Sequence, residues 1–255
     1  SGVPTITTSL RGLVDGVIVV DQKMEPVHSG LGGGVVPDAF MILSRIISSF
    51  HNDKGELLIE GLTPTEQDVF ELSDEFVKSS LSSTGVNLFQ MDSYSKRLWL
   101  EPALSILAID APPVAESVNL LIPKAKAKVS LRLPPTEDPD HAMNMLEQHI
   151  KENTPFNANV EFIPEAKGKG ILVDPKNEFS SKLIESFNKN WENEVAYMGV
   201  GGSIPFANVF INEFPNSEIV LVGAGDEEGN AHAPNESVNL SDIQRLIDSL
   251  TDVLS

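Results

Sequence analysis

Apolar residues recur along the chain in two rhythms, and each rhythm predicts a different element. TITTSLRG and GVIVVDQ alternate or run apolar with β-branched residues and predict strands, with LVDG between them as a turn or bulge. A glycine-rich loop, HSGLGGGVVPD, leads into PDAFMILSRIISSF. There Pro37 and Asp38 open a helix whose stripe is Phe40, Ile42, Leu43, Ile46 and Ile47. TPTEQDVFELSDEFVKSSL predicts a second helix, with Thr63 as N-cap and Glu66 as its capping-box partner. RLWLEPALSILAIDA and AKAKVSLRLPP predict strands, the latter alternating at Ala127, Val129, Leu131 and Leu133. DPDHAMNMLEQHIKENT is a third predicted helix and NANVEFIPEA a further strand.

The segment AKGKGILVDPKN marks a crossing, and the grammar changes after it. Helix EFSSKLIESFNKNW, turn GVGGS, helix IPFANVFINEF, strand EIVLVGA, a polar loop DEEGNAHAPNES and helix NLSDIQRLIDSLTDVL follow in order. The first part reads as α+β, an antiparallel sheet with helices, and the second as α/β. A single convincing strand in the second part leaves backbone groups unpaired, so that part is incomplete by its own grammar.

Charge and composition narrow the function. The chain carries 18 basic and 37 acidic residues, for a net charge of -19, which argues against nucleic acid, whose phosphates need Lys and Arg clusters. There is no cysteine, which removes disulfides, thiolate zinc sites and cysteine nucleophiles and fits a reducing cytoplasm. No apolar run reaches the length of a membrane span, and the N-terminus SGVPTITTSLRG lacks the features of a signal peptide. It also lacks an initiator Met, so the chain is expected to be processed or cut from something longer.

Few residues carry candidate chemistry, and each has a local alternative. His232 follows the carboxyl end of EIVLVGA, where open α/β sheets bind ligands, yet a metal site needs three or four ligands. His28 precedes a glycine-rich loop and reaches a substrate or an oxyanion, or else caps its own backbone. The glycines there are not a dinucleotide fingerprint, since position 35 is Val. Arg132 points to the opposite face from Leu131 and Leu133, and either forks onto a carboxylate or forms a surface ion pair. GVGGSIPF opens a helix at Ser203, which makes it an anion site or an ordinary serine N-cap. His51, His141 and His149 read as surface residues.

Four segments, HSGLGGGVVPDA, NLLIPKAKAKVSLRLPP, GGSIPF and AHAPNES, occur in this order and together resemble one family. It is the dinuclear zinc metallopeptidases that include carnosinases, bacterial dipeptidases, aminoacylases and glutamate carboxypeptidases. The dipeptidase and carnosinase branch is most similar, through HSG-x-x-GG and GGSIP. The resemblance implies a lid or dimerisation domain with a four-stranded antiparallel sheet over residues 5–167, then the last part of an α/β catalytic domain over residues 171–255. It finds no counterpart here for the first half of the catalytic domain, with its H-x-D motif, bridging aspartate and Glu-Glu pair. The chain is therefore expected to be truncated at the start of the lid, and inactive alone.

The resemblance also implies roles. His232 would be one metal ligand of a site holding two zinc ions, which activate a bridging water and polarise the carbonyl. His28 would enter the active site of the other subunit of a homodimer and stabilise the tetrahedral intermediate. Arg132 would clamp the carboxylate of a small peptide substrate, met also by Gly202 and Ser203. Asn119 joins that set at a position where the family varies in type and spacing. Glu236 would orient the His232 loop. The competing expectation is a dimerising or regulatory lid module without catalysis of its own.

Overall fold

The computed structural model describes residues 2–80, 87–89, 91–202, 204–214, 217–225, 229 and 234–255. Its strands are β1 (Thr5–Leu10), β2 (Gly12–Asp21), β3 (Val27–His28), β4 (Ala103–Asp110), β5 (Leu120–Leu121), β6 (Lys124–Leu133), β7 (Val160–Gly168), β8 (Ile171–Leu172) and β9 (Ala196–Val200). Its helices are α1 (Ser29–Gly32), α2 (Ala39–Ser49), α3 (Asp74–Ser80), α4 (Tyr94–Trp99), α5 (Pro139–Glu152), α6 (Glu178–Asn190), α7 (Pro205–Glu213) and α8 (Leu240–Leu254). No helix of the described residues is long and apolar enough to cross a membrane.

Two compact units divide the chain. One comprises Gly12–Thr65 and Glu101–Gly170, the other Ser1–Arg11, Glu66–Leu100 and Ile171–Ser255. This partition departs from the expected 5–167 and 171–255 boundaries in two places: β1 and the segment 66–100 both group with the C-terminal residues.

The first unit is a four-stranded antiparallel sheet in the order β4-β6-β2-β7. The period-2 pattern of β2 and β6 sends Val14, Ile18 and Val20, with Ala125, Ala127, Val129, Leu131 and Leu133, to one face. There they meet Ile42, Leu43 and Ile46 of α2 and Ala142, Leu146 and Ile150 of α5. Each fully buried leucine or isoleucine in this layer contributes about 1.5–3 kcal/mol. The helices start where side chains satisfy their first N–H groups: Asp38 accepts from Met41 N, and Asp138 accepts from Asp140 N and His141 N. A register shift between β2 and β7 falls at Asp15/Gly16, where a Cβ on Gly16 would lie 2.3 Å from the Phe162 ring.

His149 lies in this core rather than on the surface. It continues the buried stripe of α5, stacks on Phe50 with ring centroids 5.2 Å apart, and places Nε2 3.0 Å from Ser49 Oγ. Ser49 Oγ already donates to Ile46 O, so it accepts from Nε2–H. Burial holds the imidazole pKa below its ordinary 6.5, against the raising effects of the Ser49 carbonyl, Glu152, Glu60 and the Leu58 carbonyl.

The second unit holds a three-stranded sheet, β8-β1-β9, in which β1 runs antiparallel to β8 and parallel to β9. Ile6 of β1 packs with Leu183 and Phe187 of α6, joined by Leu246, Leu250 and Val253 of α8. The sequence pattern misses β9. It also expects a strand in EIVLVGA, where the described residues form only a bridge, Leu221 to Thr7, while Val220 and Val222 still pack against the core.

Two further expectations fail nearby. The helix expected from Thr63 begins only at Asp74, because the preceding backbone bonds to tertiary partners: Phe70 N to Tyr197 O and Leu72 N to Ser95 Oγ. The strand expected over RLWL is α4, capped by Ser93, which accepts from Lys96 N; the strand β4 begins only at Ala103, beyond Pro102.

Candidate functional site

β3 and β5 form a two-stranded ladder that places His28 opposite Leu120, and Ser29 N donates to Asn119 O at 2.8 Å. His28 and Asn119 are thereby neighbours through the backbone, and both side chains are exposed. Gly30 N donates to His28 Nδ1 at 3.1 Å. A backbone N–H can only donate, so Nδ1 is the acceptor, and in the neutral ring the proton sits on Nε2. Self-capping and an outward donor thus coexist in one imidazole.

Arg132 lies on β6, opposite Leu13 of β2 and Ala103 of β4, on the sheet face away from α2 and α5. Of the lysines on the same face of the strand, two are matched among the described residues and Lys126 is not. Lys124 sits 3.0 Å from Asp21, and Lys128 sits 2.7 Å from Glu165, whose hydrogen bond raises the lysine's pKa. Asp21 falls to about 2, first through the N–H of Lys23 and then through Lys124. Among the described residues the Arg132 side chain makes no ion pair or hydrogen bond. On the same face Asp15, opposite Ser130, has a carboxylate oxygen that is buried and without a hydrogen-bond partner.

Gly202 belongs to the other unit, in the turn between β9 and α7. Among the described residues a Cβ there would meet only Val200, at 4.0 Å. Helix α7 starts at Pro205 with Ile204 as the capping residue and no side-chain cap, one residue later than the sequence pattern places it. Ser203 and His232 lie outside the described residues. The loop that carries His232 is tied at its base by Ser237 N donating to Gly229 O at 2.9 Å. Glu236 is exposed and makes no hydrogen bond among the described residues, so that tie is a backbone one.

The donors of the described residues do not fit a resident metal: no three His, Asp or Glu side chains cluster among them. The triplet His51–Asn52–Asp53 spells H-x-D but forms the turn after α2. There His51 bridges to Leu57, and Asn52 Oδ1 accepts from Lys54 N and Glu56 N.

Comparison with known proteins supplies what this geometry alone does not. The chain is 31% identical over 255 residues to a cysteinylglycine-S-conjugate dipeptidase of Corynebacterium striatum, covering 96% of this chain and 55% of that protein. It is 26% identical over 260 residues to the Cys-Gly metallodipeptidase DUG1 of Saccharomyces cerevisiae, covering 93% of this chain and 52% of the relative. The solved structure of the di-peptidase Dug1p from Saccharomyces cerevisiae superposes with a TM-score of 0.78 at 22% identity, over 98% of this chain and 55% of that one. The chain thus spans about half the length of the curated relatives it matches. Residues 8–158 match the peptidase dimerisation domain, more than half of the chain. The chain belongs to the family of metallopeptidases that carry this peptidase dimerisation domain.

Proposed function

We propose that the protein to which this chain belongs is a metal-dependent dipeptidase working as a homodimer, and that this chain supplies the groups that hold the substrate. The observation that carries the reading is Arg132. A chain with a net charge of -19 keeps this guanidinium, like Lys126 on the same face, without an ionic partner among the described residues, while Lys124 and Lys128 are paired. A planar fork left open in this way suits a carboxylate, which it meets with two parallel hydrogen bonds. Asn119, Gly202 and Ser203 complete the recognition of that carboxylate.

His28 is the oxyanion donor of the partner subunit's site. Its Nε2–H is directed by the cap on Nδ1, and a fixed donor favours the tetrahedral intermediate over the flat ground-state carbonyl. His232 would supply one ligand of a site for two zinc ions, the others coming from the rest of the full-length protein. The relatives' names, dipeptidase and metallodipeptidase, support the substrate class and the metal. The dimerisation domain supports self-association through the four-stranded unit.

The test is hydrolysis by the full-length protein of dipeptides with free and with amidated C-termini, before and after chelation and metal return. Free dipeptides are expected to be cleaved far better, and only with metal. Equal turnover of both substrates would remove the carboxylate from the reading. Activity untouched by chelation would remove the metal.

A further inference from the structure

Arg11 directly follows β1, is only 8% exposed, and reaches the turn that carries Gly202. Its backbone N donates to Val200 O at 3.2 Å, extending the parallel pairing of Leu10 with Val200. Its Nε donates to Gly201 O at 3.3 Å. The guanidinium fills the space where a side chain on residue 201 would begin: a Cβ there would lie 3.1 Å from Nη2 and 3.4 Å from Leu98 O.

We propose that Arg11 is a positioning residue that locks the Gly201–Gly202 peptide so that the Gly202 N–H faces the substrate's carboxylate; the inference rests on the dipeptidase reading above. The peptide bond is planar and trans, with no cis bond among the described residues, so the C=O of Gly201 and the N–H of Gly202 lie in one plane and point in opposite directions. Holding the carbonyl against Arg11 therefore turns the N–H away from the guanidinium. Two consecutive glycines make this peptide easy to rotate, because each adopts backbone conformations closed to other residues. With the plane reversed, a carbonyl oxygen would face an incoming carboxylate and repel it. The lock keeps a donor in that position before substrate arrives, and the lost rotation is not charged to binding.

Arg11→Met removes the donor at similar length, and Arg11→Lys keeps the charge without the planar fork. In the full-length protein Arg11→Met should raise KM for free dipeptides about tenfold, the scale of one hydrogen bond to a charged group. It should leave amidated dipeptides nearly unchanged, with Arg11→Lys in between. If Arg11→Met does not fold, Gly201→Ala tests the same contact, since its methyl must displace the guanidinium by a few tenths of an ångström. It should give the same substrate-selective rise, only smaller. The second measurement uses this chain alone: the carbonyl 13C shift of Gly201 and the amide 15N shift of Gly202 should both move in Arg11→Met. Unmoved resonances overturn the lock. Resonances that move while both substrates lose activity equally overturn its role in positioning. A wild-type protein that does not discriminate free from amidated dipeptides overturns the dipeptidase reading and the binding role together, and the resonances still decide the lock.

Discussion

Replacing Arg132 by alanine separates recognition from folding. The guanidinium has no ionic partner among the described residues, so removing it strands no buried counter-charge. Its opposite neighbours, Leu13 and Ala103, are small or apolar. Surface changes of this kind shift stability by about 0.5 kcal/mol or less. The melting temperature should therefore stay within about 2 °C, given that 1 kcal/mol moves a chain of this size by roughly 2–4 °C. Binding is a different matter. Hydrogen bonds to charged groups contribute about 1.5–3 kcal/mol each, and partial exposure of Arg132 places the pair's net value near the lower end, about 2–3 kcal/mol. That is roughly a 30- to 150-fold loss in kcat/KM for a free dipeptide. The assay compares Arg132→Ala with wild type on a dipeptide and its C-terminal amide in the full-length protein, with melting curves on the same samples. The free dipeptide should lose the full factor and the amide only a few-fold. Equal losses, or a fall of several degrees in melting temperature, would refute the clamp and make Arg132 structural.

Two other predictions test separate parts of the argument. Because His149 titrates below 6.5 in the folded chain, the unfolded chain binds the proton more readily. Stability is then full above pH 6.5 and falls as the pH drops through 6.5 toward the lower folded value. Melting curves at about pH 7.5 and pH 5.5 should show a smaller pH dependence in His149→Gln than in wild type, and identical dependence would rule out the histidine as its source. For the dimer, His28→Ala and His232→Ala full-length proteins should each be inactive, and their mixture after subunit exchange should recover part of the activity. A mixture that stays dead while exchanged wild type survives would show that His28 does not act across the interface.

The legible parts of the fold are those whose signals are local. Helices α2, α5, α6 and α8 announce themselves by an apolar stripe behind a capping side chain: Asp38, Asp138, Asn177 and Asn239 each accept from a first-turn N–H. β2 and β6 alternate because one face is packed and the other is not. The illegible parts are those where tertiary partners replace local ones. Thr63 and Glu66 have capping-box spacing, but Phe70 N pairs with Tyr197 O, a residue far along the chain, and no local pattern encodes that. β9 is hidden by Gly199, a poor strand former that is required here: a Cβ would lie 2.4 Å from Trp99 and 2.7 Å from Ser9 Oγ. Trp99 is illegible as helix because the six residues of α4 are too few to separate a helical stripe from an alternation.

The candidate site divides along the same line, and His28 shows why. Read locally, it is either a backbone cap or a catalytic donor, and sequence offers no way to choose. The geometry makes the two compatible, because they would occupy different nitrogens. The cap on Nδ1 assigns the tautomer, and the tautomer makes Nε2 a donor with no partner of its own among the described residues. Arg11 follows the same logic on the opposite unit: one hydrogen bond to a carbonyl decides where the next N–H points. In both places the chain spends a backbone contact to aim a donor, and in both the residue that does the aiming reads from sequence as an ordinary turn or strand position.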